Sequence, residues 1–433
     1  MKLQNVAIIG SGGRENALAW IVEKNDGIKN IYLIPGNAGS ENFPKCKRIL
    51  IDYLDRSILV EKLISLEIDL IIIGPETPLA DGLGEFLRSK NFLVFGPGSD
   101  GAKLESSKAW AKAFMKEANI PTSNSWEISS IQQAKEIIYS NPSPLVVKAD
   151  GLASGKGVFI CETKEESIQK TEEILNGKFG DAGNLIVLEE KIEGPEVSIF
   201  AITDGHKYIL LPSAQDHKRL EEGDKGLNTG GMGAYSPTPL ISNKKLQTIK
   251  EKIIQPTINE LIKRNINYRG VIYFGLMITK DGPKVIEYNC RFGDPECQTI
   301  MPLMDKNFVN ILHSAANGNL KSDLEMIHSK KVSGCVVATS KGYPLKYETG
   351  LSINLNKPLN FEEIQIFHSG TSLNKSGDLV TSGGRVLTIV SQGDNFDSVF
   401  KKIYNFLNNV HFKGIFYRKD IGHQVRNEFS KER

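Results

Sequence analysis

The chain has little that would mark a metal scaffold, a membrane protein or a nucleic-acid binder. Its five cysteines (Cys46, Cys161, Cys290, Cys297, Cys335) are odd in number and scattered, and no two have Cys-x-x-Cys spacing, which excludes a zinc or redox site of that kind and fits a reducing cytosol. Neither charge is in excess: 53 Lys+Arg against 51 Asp+Glu leave +2, so no global field captures nucleic acid. No run approaches the ~20 apolar residues of a membrane span. The four apolar residues 6–9 before Gly10 fall short of a signal-peptide core. Internal repeats and low-complexity segments are missing too. These absences predict a soluble cytoplasmic protein with neither membrane nor nucleic-acid partner. What remains, at 433 residues with 40% hydrophobic and 24% charged, is globular chain for about three domains.

Residues 6–9, 31–34, 70–73 and 92–95 are short Ile/Val/Leu-rich runs ending in Gly or Pro and separated by helix-length stretches. Only strands covered on both faces can be apolar without alternation, so residues 1–101 read as a doubly wound parallel α/β domain closed by the Gly/Pro cluster 96–101. A helical stretch is expected over 106–118. Strands follow at 145–147, 158–161, 185–188 and 197–203, with hairpin turns at Asp204-Gly205 and Asp281-Gly282. A Gly-rich loop over 223–233 and a helix of up to about 22 residues before Asn265 are also expected. Short strands at 332–339 and 385–390 and a helix at 396–407 make residues 325–433 a small mixed α/β domain.

Six segments carry chemistry. Gly10-Ser11-Gly12-Gly13-Arg14-Glu15 lies where a Rossmann turn would be, but Glu15 replaces the third glycine and no acidic residue follows the second strand, against a dinucleotide. Small residues opening a helix still offer N–H groups to a phosphate or phosphosugar. Loops 35–39 and 74–78 share that sheet edge, where ligands of parallel sheets collect. Lys148 leads into the Gly-rich loop 149–158, whose backbone can lie over phosphates. Residues 189–198 close one strand and open the next, like a hinge that could pair with an adenine edge while a carboxylate seven residues on takes ribose hydroxyls. Finally, alternation puts Glu287, Asn289 and Arg291 on one strand face. The first two are hard ligands for Mg²⁺, and Arg291 could clamp a phosphoryl group.

The order of Lys148, the 150–157 loop, the 189–196 hinge and Glu287-x-Asn289 resembles the ATP-grasp superfamily, and more closely the phosphoribosylamine-glycine ligase family. Gly12 to Glu15, Pro35 to Gly39, Gly74 to Glu76, Asp150 to Gly157, Gln215 to Arg219, Asn228 to Tyr235, Asn289 to Glu296 and Gly383 to Val386 are similar to that family's motifs, in its order. The resemblance implies a central ATP-grasp fold over 102–324, in two lobes hinged near 189–196. It implies ATP and Mg²⁺ or Mn²⁺ as cofactors, and ligation of glycine to 5-phosphoribosylamine through glycyl phosphate, in purine synthesis. Carried over, Lys108, Lys148, Ser154, Gly155, Lys156 and Gly157 would hold the ATP phosphates, Glu189 and Ile192 adenine, Glu196 the ribose, and Glu287 and Asn289 the metal. Gly12, Gly13, Arg14, Glu15, Asn37 and Glu76 would hold the phosphosugar. Asp216, Arg291 and Asp294 are candidates for glycine, Lys218 is a further substrate-binding candidate, and Arg291 and Lys148 are the catalytic candidates. His217 is either an acid–base group or a structural hydrogen-bonder. A monomer with transient contact to the upstream amidotransferase is expected.

The chain departs from the family at Asn16, where histidine is usual, and at Leu227, where proline commonly stands. Residues 273–277 offer no second carboxylate opposite Glu287. Another ATP-grasp carboxylate-amine ligase with a different acceptor is the alternative. A dehydrogenase built on the first domain is opposed by Glu15, and a non-catalytic nucleotide-binding regulator by the presence of Glu287, Asn289 and Arg291.

Overall fold

The four apolar runs of the first hundred residues, with one further strand at the edge, form a five-stranded parallel sheet in the order Cys46–Arg48, Asn30–Pro35, Asn5–Gly10, Leu70–Ile73, Val94–Phe95. A computed structural model describes residues 3–153, 157–321, 329–355 and 363–427. On the central strand Val6 and Ile8 join one apolar cluster, and Ala7 and Ile9 another on the opposite face. Burial on both sides is why the run needs no polar alternation. The edge strand Cys46–Arg48 has no such run and was not expected.

The next two sheets are antiparallel. One runs Ser125–Ile128, Ile186–Glu190, Leu145–Ala149, Val158–Phe159, and the other Tyr208–Leu210, Glu196–Thr203, Gly270–Thr279, Gly282–Asn289. Residues 191–195 carry the chain from the first of these to the second. A fourth sheet interleaves distant segments: Gln215–Asp216 and Gly233–Ser236 pair onto Val332–Thr339, which pairs with Arg385–Gly393 and then Ile364–His368. Residues within the expected 102–324 unit are therefore hydrogen-bonded into the sheet of the last hundred residues. Among the described residues no helix is long and apolar enough to cross a membrane.

Two local expectations change. The helix expected over 106–118 is Lys108–Glu117, but a second helix, Ser99–Ser106, unexpectedly precedes it, and the two are broken apart at Ser107 with φ −138° and ψ 111°. Ser107 can afford the break because its hydroxyl accepts from Trp110 N at 3.1 Å, and Asp150 accepts from Ala109 N at 2.7 Å. The loop expected over 223–233 contains a hairpin arm: Lys225–Asn228 pairs with Arg219–Glu221. Arg418, wholly buried, pins this hairpin by donating to Asp224 Oδ1 at 2.8 Å while pairing with Asp420 at 2.7 Å.

Losing an N-cap hydroxyl costs about 1 kcal/mol. Ser107→Ala should therefore lower the urea-unfolding free energy by about that amount, read from the denaturation midpoint at constant slope.

Candidate active site

The break at Ser107 makes Lys108 the first residue of its helix, and its Nζ reaches Gly151 O at 3.1 Å in the Gly-rich loop. Burial lowers its pKa, and the neighbouring Lys148 lowers it further. Lys148 leaves its strand with Nζ 2.7 Å from Glu189 Oε1 and 3.2 Å from Ile286 O. That carbonyl is available because Ile286 is the extra residue of a β-bulge: Gly275 opposes Glu287 and Leu276 opposes Val285. Lys112, one turn after Lys108, grips Glu189 Oε2 at 2.8 Å, where Ser123 Oγ also donates at 2.7 Å. Burial alone would raise the pKa of Glu189, but Lys148 and Lys112 outweigh it and push it down to about 2. The same burial drops Lys112 to about 8. Both carboxylate oxygens of Glu189 are thus engaged, so adenine would meet backbone at this connection. Ile192 lies half-buried on it. Gly157 O accepts from Ala149 N at 2.9 Å and closes the Gly-rich loop. Ser154, Gly155 and Lys156 lie outside the described residues.

Lys218 bridges the next pair of carboxylates, with Nζ 2.9 Å from Glu196 Oε2 and 3.3 Å from Glu287 Oε1. Burial pulls its pKa down, but the two carboxylates hold it well above the ordinary value. Lys218, with Lys148 and Lys108 beyond it, keeps Glu287 ionised. Gly275 makes room for that side chain, since a Cβ there would lie 2.9 Å from Glu287 Cγ. Glu287 and Asn289, two apart at the strand end and both partly exposed, offer a carboxylate and an amide oxygen. These donors fit a small hard divalent cation that completes its shell with water and phosphate oxygens. Among the described residues no three His, Cys, Asp or Glu cluster as a self-sufficient metal site.

Arg291 does not share that face as alternation implied, because the strand ends at Asn289. Its guanidinium reaches toward the first domain instead: Nε donates to Glu76 Oε2 at 3.2 Å, and Nη2 lies 2.9 Å from Glu105 Oε1. Burial would raise Glu76, but Arg291 and Arg14 bring it down to about 2. The 10–15 turn is internally braced. Glu15 accepts from Gly12 N at 2.6 Å and from Arg14 Nε at 2.6 Å, while Asp294 Oδ2 faces Arg14 N at 3.4 Å. Two carboxylates therefore already face N–H groups expected to take a phosphate, and Glu15 holds the turn. Gly13 is wedged between Gln298 and Ser369, whose polar atoms would each lie 2.5 Å from a Cβ there.

The C-terminal sheet completes this wall. Asn37 spends its amide donors on Ser11 O and His368 O, at 2.9 and 2.7 Å. Asn16, in place of the usual histidine, accepts from His368 N at 3.0 Å, leaving its own amide nitrogen without a partner. Arg385 pairs with Asp294 Oδ1 at 3.3 Å and donates to Gly230 O, tying the 228–231 loop to both. Burial and then Glu296 raise the pKa of Asp216 well above the usual carboxylate range, and its Oδ1 has no hydrogen-bond partner. His217 has the structural part. Its Nε2 accepts from Gly422 N at 3.1 Å and Nδ1 faces Gly233 O at 3.3 Å, with burial lowering its pKa to about 4. Leu227 sits half-exposed on the hairpin arm. Glu105, Lys112, Glu296 and Gln298 were not singled out from sequence. For Lys112 a signal existed: it stands four residues after Lys108 on an amphipathic helix.

Lysines converging between two antiparallel sheets, beside a strand-end carboxylate and amide, define an ATP-grasp enzyme. Family models agree along the chain: "Phosphoribosylglycinamide synthetase, N domain" matches residues 4–105, the "ATP-grasp (A) domain" residues 106–297, and the "C domain" residues 333–424. The chain belongs to the phosphoribosylglycinamide synthetase family. A phosphoribosylamine–glycine ligase of Nostoc sp. is 41% identical over 421 residues, covering 97% of this chain and 99% of that one. The trifunctional purine biosynthetic protein adenosine-3 of Homo sapiens is 42% identical over 96% of this chain, which spans 41% of that longer protein. The crystal structure of a Thermotoga maritima phosphoribosylamine–glycine ligase superposes with a TM-score of 0.83 at 36% identity, covering 96% of this chain and 99% of that one.

A carboxylate with depressed folded-state pKa contributes stability above its unfolded value, and that contribution is lost as pH falls through the folded one. For Glu189 the window runs from the ordinary 4.5 down to about 2, worth about 3 kcal/mol. Wild type should exceed Glu189→Gln in urea-unfolding free energy at pH 6, and the gap should close as pH drops through that window.

Proposed function

We propose that the chain joins glycine to 5-phosphoribosylamine at the expense of ATP, giving glycinamide ribonucleotide, ADP and phosphate. The chemistry sets what the site must do. A carboxylate is a poor acyl donor because amine attack would have to expel an oxide. Attack of a glycine carboxylate oxygen on the γ-phosphorus breaks the bond to ADP and gives glycyl phosphate. The amine nitrogen then attacks the acyl carbon, and the tetrahedral adduct loses phosphate and the amine's proton. Phosphoryl transfer of this kind is mostly positioning and charge neutralisation.

The observation that carries this reading is the set of lysines paired to carboxylates at the cleft, Lys148 on Glu189 and Lys218 on Glu196 and Glu287. Lys108 and Lys148, together with Ser154, Gly155, Lys156 and Gly157, take the phosphates, and Arg291 meets the glycine carboxylate where it attacks. Backbone at Glu189 and Ile192 holds adenine, and Glu196 holds the ribose. Glu287 and Asn289 hold a divalent cation, Mg²⁺ or Mn²⁺, which when bound neutralises phosphate charge. Asp216 and Asp294 face the glycine ammonium, with Lys218 at the edge. Arg14, Glu76 and the backbone at Gly12 and Gly13 border the phosphosugar, whose wall Glu15 and Asn37 hold in shape. The protein acts as a monomer in the cytoplasm, receiving its unstable amine from an upstream amidotransferase through transient contact.

ADP release with glycine and freshly generated phosphoribosylamine tests this. Wild type should require both substrates, and Glu287→Gln should fall at least about a hundredfold in kcat. Equal turnover by the variant, or turnover without glycine, counts against the mechanism.

A further inference from the structure

Glu105 belongs to no motif of the sequence and has no part in the mechanism above, yet it touches the residues on which that mechanism turns. It lies in the last turn of the Ser99–Ser106 helix with a side chain only 8% exposed. Its two oxygens serve two consecutive residues of a distant segment. Oε1 pairs with Arg291 Nη2 at 2.9 Å, while Oε2 accepts from Cys290 N at 2.8 Å and from Cys290 Sγ at 3.1 Å. One carboxylate thus fixes the backbone immediately before Arg291 and also the head of its side chain.

The remaining contacts of Arg291 show what this fixes. Nε is taken by Glu76 at 3.2 Å, and Nη1 donates to Phe292 O at 3.2 Å. Each terminal nitrogen carries two N–H groups, and these contacts use one apiece, so an N–H remains on each for an incoming carboxylate or phosphoryl oxygen. Rotating the guanidinium would present different edges, and a planar fork is useful only when its plane is set. A buried cation also needs compensating charge close by, which Glu105 and Glu76 supply from two sides.

We propose that Glu105 is a positioning residue that holds the Arg291 guanidinium in the plane required to receive the carboxylate of glycine. This rests on the assignment of Arg291 to glycine given above. In this role Glu105 acts on glycine only through Arg291. Its removal should act on glycine through Arg291 and leave the nucleotide end of the cleft alone.

The test is steady-state kinetics on the full chain with Glu105→Gln, which keeps the size of the side chain but sets an amide N–H against either Cys290 N–H or the guanidinium. Glu105→Asp, which keeps the charge at shorter reach, serves if the glutamine variant does not fold. KM for glycine should rise about tenfold with kcat lowered, and KM for ATP should stay within about twofold. Arg291→Lys is measured in parallel, and the double variant should be no worse than Arg291→Lys alone, because the two residues act as one unit. If Arg291→Lys raises KM for glycine while the Glu105 variants leave it unchanged, or raise both KM values together, the positioning role is overturned and the assignment of Arg291 stands. If Arg291→Lys itself leaves KM for glycine unchanged, that assignment fails and the proposal fails with it.

Discussion

A cleft that receives a polyphosphate must hold several cations together before the phosphates arrive, in an interior that penalises each of them. This chain meets that constraint by giving nearly every cation a carboxylate partner at the distance a phosphate oxygen would take. Lys148 rests on Glu189, Lys218 on Glu196 and Glu287, and Arg291 on Glu76 and Glu105. Lys108, which has carbonyls rather than a carboxylate at its ammonium, is a cation whose pKa burial and Lys148 depress. The pairs differ in exposure. Glu189 is buried and saturated, so it is a fixed counter-charge. Glu196 and Glu287, which share Lys218, are far more open.

The arrangement requires distant segments to meet. On the proposed reading, the nucleotide end is built from the two antiparallel sheets, while the acceptor end is shared among the first domain, the turn after Asn289 and the C-terminal sheet. Arg385 on Asp294, His368 against Asn16 and Asn37, and Gly13 packed between Gln298 and Ser369 place the last domain in the wall of the site. Pairing of Gly233–Ser236 with Val332–Thr339 carries the Asn228 to Tyr235 motif into that same sheet.

Much of the frame was legible in the sequence. Each buried parallel strand announced itself as an apolar run ending in Gly or Pro, and the motifs of Lys148, Glu287 and Asn289 stood at strand ends that the structure reproduces. The failures share a cause: local periodicity does not record what a distant residue will supply. The helix Ser99–Ser106 was not expected, and the break that separates it from the next depends on Asp150, more than forty positions away. Alternation put Arg291 beside Glu287, but the strand stops at Asn289 and the carboxylate partners of Arg291 are Glu76 and Glu105, nearly two hundred or more residues earlier. The 10–15 turn looked open to an anion because Glu15 and Asp294 could not be seen to fill it. The hairpin arm at 225–228 is fixed by Arg418, nearly two hundred residues on, and composition alone reads that arm as loop.

The central claim is that ATP activates the carboxylate of glycine by phosphorylating it. Turnover of glycine labelled with ¹⁸O in its carboxylate, followed by ³¹P NMR of the released phosphate, tests this most directly. One labelled oxygen should appear in each inorganic phosphate formed. Unlabelled phosphate accompanying full product formation would contradict the account.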